Sequence, residues 1–483
     1  MALNSIRKSK LLVIAFLLSN AISVYSSAQS HDISVSIHIR GVYESKISLL
    51  GMTPAGTMKP FTDVPGVKNG ETTKLLVPKD KLPGEFVLRF DYKEKKESTP
   101  YPSEKSLMIN DQDLELWVQP MACNNSDSTW FQEGERENAA FVAFSKENGQ
   151  KKEKLGVLQQ FLMNYDEPKS KFYQQGTEEY EKRRQAYNQW LDNRVKRDRK
   201  LFVSSMYMFH YVPQISWEGS ETDRLIHVID HYFDGIDFND PIIIKTTQLN
   251  EWMNSFVNLH GQMSTTVALR DSLIPVAART AIEKARQGNP QVYGWMVDYF
   301  YRGFESNNIP AGMKVLQPYL DDPNCLTSKR MEIERRLQGM QTLVAGSQTP
   351  GFELKDAAGS LFNLYDFNPG TQEILLLFWS ADCNHCVQTV DAIYPWLEQY
   401  ENKKKVSVVA VSLDETTTEI PKCDLKIPQL SGWKHMRVAE GVRSKVANDY
   451  FILATPVMVL LDAKTKKIIA LPNTPQELKS AVK

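Results

Sequence analysis

The sequence predicts a multidomain α+β protein: a β-sandwich-like domain, then an all-α domain, then an α/β domain. Three observations predict it. Apolar and polar residues alternate near the start, apolar residues recur at helical spacing through the middle, and continuous apolar strands alternate with helices in the last third. The length of 483 residues fits about three domains. The expected boundaries are 1–28 for a signal peptide, 29–125 for the β-rich domain, 130–345 for the helical domain and 346–483 for the α/β domain.

Arg7, Lys8 and Lys10 precede an apolar run, Leu11 to Leu18, and Ser26-Ser27-Ala28 supplies small residues at a cleavage site. This is the three-part form of a secretory signal peptide, with cleavage after Ala28. An uncleaved anchor is the alternative, but the run is short of the roughly 20 residues a membrane helix needs. The expectation is an exported protein, periplasmic if the source is Gram-negative, where disulfides persist.

In the β-rich region Ile33, Val35, Ile37 and Ile39 alternate with polar residues. Phe86, Leu88, Phe90 and Tyr92 do the same, as do Leu114, Leu116 and Val118. Period two between Gly and Pro turns predicts a small antiparallel sandwich or barrel. In the helical region Tyr180, Tyr187, Leu191, Val195 and Phe202 fall on one helix face. Further helices are expected over 225–232, 249–259, 274–286 and 292–304, with prolines between them. In the α/β region Ile374 to Trp379 and Val406 to Val411 read as buried strands. Val457 to Leu461 and Lys467 to Leu471 read as an antiparallel pair.

Lys+Arg total 57 and Asp+Glu 58, a net charge of −1. A nucleic-acid binder would show a basic excess, so no nucleic-acid partner is expected. Five cysteines are too few for a disulfide scaffold, yet two of them stand together in Cys383-Asn384-His385-Cys386. Cys383 follows a buried strand and should open a helix, where free N–H groups favour a thiolate. Cys386 lies one turn on and can resolve a mixed disulfide at Cys383. His385 adds a positive charge when protonated.

With Pro350-Gly351-Phe352-Glu353-Leu354, Asp356 to Ser360, Leu376-Leu377-Phe378-Trp379, the cysteine pair and Ala454-Thr455-Pro456, residues 347 to about 480 resemble the TlpA/ResA branch of thioredoxin-like thiol–disulfide oxidoreductases. The family is related to the AhpC/TSA peroxidases. The upstream residues resemble envelope proteins that carry a β-domain and a helical domain before such a module. The resemblance implies a thioredoxin-like C-terminal domain with Cys383 as nucleophile and Cys386 as resolving thiol. It implies a cis Pro456 facing the pair, client contacts at Thr455, Pro456 and Trp379, and no cofactor. Implied partners are client protein thiols and disulfides and a membrane-bound thiol electron donor or acceptor.

Two departures bear on the redox potential. Asp382 stands where thioredoxins place an aromatic residue, and its charge opposes ionisation of Cys383. Leu377 stands where thioredoxin places a buried carboxylate. His385 resembles oxidising members, whereas the TlpA/ResA-like frame is more often reducing.

Other readings stay open at this point. The cysteine pair could be a structural disulfide or half of a zinc site, but Cys123, Cys325 and Cys423 supply no second pair. A thiol peroxidase and a scaffold whose redox domain is secondary are the rival functions. His227 and His231, four apart with Asp230 between them, lack an evident third metal ligand, so no metal is expected. The basic stretch 182–200 reads as the solvated face of a packed helix, with docking of an acidic partner or anionic lipid as the alternative. Cys423 is expected on a loop as an inert thiol, and a third redox cysteine is its sharper reading.

Overall fold

The computed structural model describes residues 32–53, 57–307, 309–356 and 359–482. The expected signal peptide lies outside them. Among the described residues no helix is long and apolar enough to cross a membrane. The described residues form two compact units that divide between residues 299 and 300.

The first unit opens with eight strands: β1 (Ile33–Ile39), β2 (Glu44–Met52), β3 (Met58–Lys68), β4 (Thr72–Val77), β5 (Gly84–Lys93), β6 (Tyr101–Ile109), β7 (Leu114–Val118) and β8 (Trp130–Phe131). They make two four-stranded sheets, ordered β4-β1-β7-β8 and β3-β2-β5-β6. The alternating residues Ile33, Val35, Ile37, Phe86, Leu88, Leu114 and Leu116 all face one shared core between the sheets. One pairing departs from the antiparallel expectation: β1 runs parallel to β7. Period two is common to both ladder types, so alternation carries no information about strand direction.

Two 27-residue helices follow, Glu137–Met163 and Lys171–Arg197. Ser170 caps the second by accepting from the Tyr173 N–H at 3.1 Å. The helix stops at Arg197, so Phe202 lies beyond it and packs with Phe144 and Leu191. The basic stretch is only partly a solvated face. The Arg184 guanidinium is buried on Glu181 and on the Val212 carbonyl (2.8 Å), and Arg194 is buried near Glu147 and Asp198. Two buried carboxylates join strands to helices within this unit. Glu137 accepts from the N–H groups of Phe202 and Val203 and from Asn110, and Glu85 accepts from Thr247.

The second unit holds the helices Pro310–Leu320 and Arg330–Thr342 and then the α/β domain. By compactness these helices go with the α/β domain, although they fall inside the expected 130–345 region. Its strands are β9 (Glu353–Lys355), β10 (Leu361–Asn363), β11 (Glu373–Trp379), β12 (Val406–Ser412), β13 (Lys434–Arg437), β14 (Val457–Asp462) and β15 (Ile468–Ala470). The main sheet is ordered β13-β12-β11-β14-β15, with β11 parallel to β12 and antiparallel to β14. Every residue of β11 is buried. Ile374, Leu376 and Phe378 enter the core on one face of the sheet, and Leu375, Leu377 and Trp379 the core on the other. That two-sided burial is why β11 reads as an unbroken apolar run. The architecture is a β-sandwich-like domain, a helical region and a thioredoxin-like α/β domain.

Candidate active site

The sheet order assembles the site. β11 ends at Trp379, and β14, its antiparallel neighbour, begins at Val457 opposite Phe378. The segment leaving β11 therefore meets the segment entering β14. The first carries Cys383 and the second carries Thr455-Pro456, whose peptide bond is cis.

Cys383 is the N-cap of the helix Asn384–Leu397, and its Sγ accepts from the Cys386 N–H at 3.2 Å. A helix N-terminus has N–H groups without intrahelical partners, and here one of them is spent on sulfur. On its other side the Cys383 thiol donates to the Thr455 carbonyl at 3.6 Å. Cys383 is partly exposed, whereas Cys386 is completely buried. Both are thiols here. Burial pushes the Cys386 thiol up to about 12, and its hydrogen bond to the Cys383 sulfur pushes the same way. The Thr455 side chain and the Ser380 N–H act against that shift. The pair thus splits into an accessible sulfur cradled by a backbone N–H and a buried sulfur that keeps its proton.

Three neighbours differ from the sequence expectation. Asp382 is ion-paired with Lys422, so its charge is not left unopposed beside Cys383. Trp379 is only 1% exposed and packs inside the core with Cys386, Val390 and Met458. It cannot touch a client, because its strand is covered on both faces. Cys423 lies on the helix Glu419–Lys426 rather than a loop, fully buried, and burial raises its pKa. His385 is exposed on the first turn of the helix that follows Cys383.

Sequence reasoning missed Asp414. Leu377 indeed contributes only to the core, but a buried carboxylate stands on the neighbouring strand's exit. Asp414 is fully buried and accepts from the Ser380 hydroxyl (2.5 Å), the Ala381 N–H (3.1 Å) and the Ser412 hydroxyl (2.7 Å). Ser380 gives its single proton to Asp414, so it must accept the Asp382 N–H, which reaches it at 3.2 Å. The carboxylate thereby fixes the turn that delivers Cys383. A Ser-x-Asp at the carboxyl end of a buried strand was the available signal, since sites of α/β sheets gather at those ends.

The remaining candidates lie elsewhere. His227 is on the helix Glu221–Asp230 and His231 just past it, with ring centroids 4.6 Å apart, and His231 bonds Asp234. Among the described residues no group of three or more His, Cys, Asp or Glu could hold a metal ion. Cys123 and Cys325 are buried. A cavity of about 600 Å³ in the second unit is lined by Phe352, Tyr365, Arg437 and Lys445 and contains neither cysteine of the pair.

Residues 371–468 match the family model described as Thioredoxin-like, a span that holds Cys383, Cys386 and Pro456. The match supports a redox role for this domain. No curated protein matches the chain. Among solved structures, the chain is similar to a thioredoxin-like protein from Bacteroides caccae, at 19% identity over 56% of this chain and 95% of that one, TM-score 0.37. It is also similar to a thiol-disulfide oxidoreductase from Bacteroides fragilis, at 24% identity over 28% of this chain and 100% of that one, TM-score 0.25. A third is a thiol:disulfide interchange protein from a Bacteroides species, at 24% identity over 29% of this chain and 88% of that one, TM-score 0.25.

Proposed function

We propose that this protein is an exported thiol–disulfide oxidoreductase that acts on polypeptide clients through Cys383 and Cys386. The observation that carries the reading is the placement of the Cys383 sulfur between the Cys386 N–H and the Thr455 carbonyl, at 3.2 and 3.6 Å. One contact stabilises negative charge on the sulfur. The other belongs to a backbone segment that can pair with an extended client beside the cis proline.

In the reducing direction the Cys383 thiolate attacks one sulfur of a client disulfide. A Cys383–client disulfide forms and the first client thiolate leaves. Cys383 then neither shares the Cys386 proton nor carries charge beside it, which removes two of the three effects that raise the Cys386 pKa and leaves burial. Cys386 loses its proton to solvent and attacks the Cys383 sulfur. The Cys383–Cys386 disulfide forms, and the second client thiolate leaves and takes up a proton. Two electrons pass from the protein dithiol to the client, and a thiol donor restores the dithiol. The signal-like first 28 residues support export, where the donor or acceptor is a membrane-bound thiol protein.

The test is reduction of insulin by dithiothreitol with the full mature chain against Cys383→Ser. The expected result is a loss of about 1,000-fold in the variant, as removal of a nucleophile gives. Equal rates would sink the reading.

A further inference from the structure

The segment that presents Thr455 is gripped from outside the span that matches the Thioredoxin-like model. The helix Arg330–Thr342 lies within the second unit but precedes that span. Its Arg335 Nη2 donates to two carbonyls, Ala447 at 2.8 Å and Ile452 at 2.9 Å. The two N–H groups of one guanidinium nitrogen thus join the short helix Lys445–Asp449 to the chain that leads into β14. The Ile452 N–H also returns to the Ala447 carbonyl at 2.8 Å, so residues 447–452 form a closed loop with Arg335 across its mouth.

The same helix shapes the inside of that loop. Phe451 has φ 53°, a left-handed conformation that bulky residues rarely adopt. It sits over Gly339, where an added Cβ would lie 2.8 Å from the Phe451 Cβ. Only a residue without a side chain lets the helix approach so closely. One turn separates Arg335 from Gly339, so both face the loop from one side of the helix. Tyr450 also ties the loop down through its hydroxyl, which donates to the Pro350 carbonyl at 2.6 Å. Three residues beyond Ile452 comes Thr455, whose carbonyl faces Cys383.

We infer that Arg335 is a positioning residue for client docking: with Gly339 it fixes the 447–452 loop so that Thr455 and Pro456 stay opposite Cys383. The inference rests on the oxidoreductase reading above. Arg335 touches no reacting atom. Its loss should loosen the docking edge and leave the cysteine pair, held by β11 and its helix, intact.

The experiment compares the full mature chain with Arg335→Ala and the milder Arg335→Lys in three measurements. With insulin, KM should rise about fivefold in Arg335→Ala while kcat stays within about twofold, a split that separates docking from chemistry. Arg335→Lys should recover less than half of the KM change, because an ammonium lacks the planar fork. The dithiol's reaction with the small disulfide 5,5′-dithiobis(2-nitrobenzoate), which needs no backbone docking, should stay within about twofold. Amide exchange over 447–456 should quicken about tenfold. Unchanged exchange there, an unchanged insulin KM, or a small-disulfide rate that falls in step with insulin would each overturn the inference. A wild-type chain inactive on insulin would instead overturn the oxidoreductase reading, and the clamp would still be judged by exchange.

Discussion

Both compact units bury ionisable groups, and they use them differently. In residues 1–299 the buried Glu85 and Glu137 have raised pKa values through burial, and each faces donors from another element of the same unit. His210 is pushed down to about 4 by burial, with Lys152 nearby. In residues 300–483 the Cys386 thiol is shifted by the same force, burial, but its neighbour is a partly exposed sulfur. A perturbed pKa therefore does not distinguish a site from a joint. Access to a reactive partner does. The carboxylates of the first unit are closed off by their donors, whereas the cysteine pair opens on one side to a backbone edge.

The sharpest way to break this comparison is at Cys386. Cys386→Ser should lower steady-state insulin reduction about 100-fold or more, because the mixed disulfide at Cys383 no longer resolves. The variant should accumulate as a covalent client adduct, seen as a mass increase on non-reducing analysis and abolished by the further change Cys383→Ser. Absence of the adduct, with turnover retained, would show that the burial difference between the two sulfurs has no chemical consequence.

The legible parts of this protein are those governed by period and spacing. The inward faces of β1, β5 and β7, the two-sided burial of β11 and the N-cap position of Cys383 follow from pattern alone. The parallel β1–β7 pair does not, because alternation is blind to direction. Nor does the Asp382–Lys422 pair, since 40 residues and an intervening strand separate its partners. Asp414 was readable only as a polar residue ending an apolar strand, and its contacts with Ser380 and Ala381 come from the parallel register of β11 and β12. Trp379 shows the opposite failure. The family resemblance implied contact with clients, while its place on a covered strand buries it.

Asp414 and Glu137 supply a matched pair, one from each unit. Both are buried carboxylates that accept three donors. Alanine at either place leaves those donors unsatisfied and should cost about 3 kcal/mol in urea unfolding. Their activities should part. Asp414→Ala should slow insulin turnover about tenfold, because the turn before Cys383 loses its anchor, whereas Glu137→Ala should stay within about twofold. A Ser380→Ala, Asp414→Ala double variant no slower than Asp414→Ala alone would confirm that the carboxylate acts through Ser380. Equal losses for Asp414→Ala and Glu137→Ala would erase the distinction between site and joint.

The smallest effect belongs to His210. Its ring packs near Phe144, with centroids 5.4 Å apart, and burial drives its pKa from the ordinary 6.5 to about 4. Above pH 6.5 the ring is neutral whether the chain is folded or unfolded, and it contributes no pH dependence. Between 6.5 and 4 the unfolded chain binds a proton that the folded chain refuses, so stability falls as pH falls through that window. The loss should reach about 1–2 kcal/mol by pH 4.5, discounted because the ring is only partly enclosed. His210→Gln keeps a neutral polar group and removes the titration. Urea midpoints measured from pH 7.5 to 4.5 should run parallel for the two proteins above 6.5 and diverge below it, with the wild type falling faster. Parallel curves over the whole range would mean that the ring is as protonatable in the fold as in water. The first unit would then lack the closed environment that sets its buried groups apart from the cysteine pair.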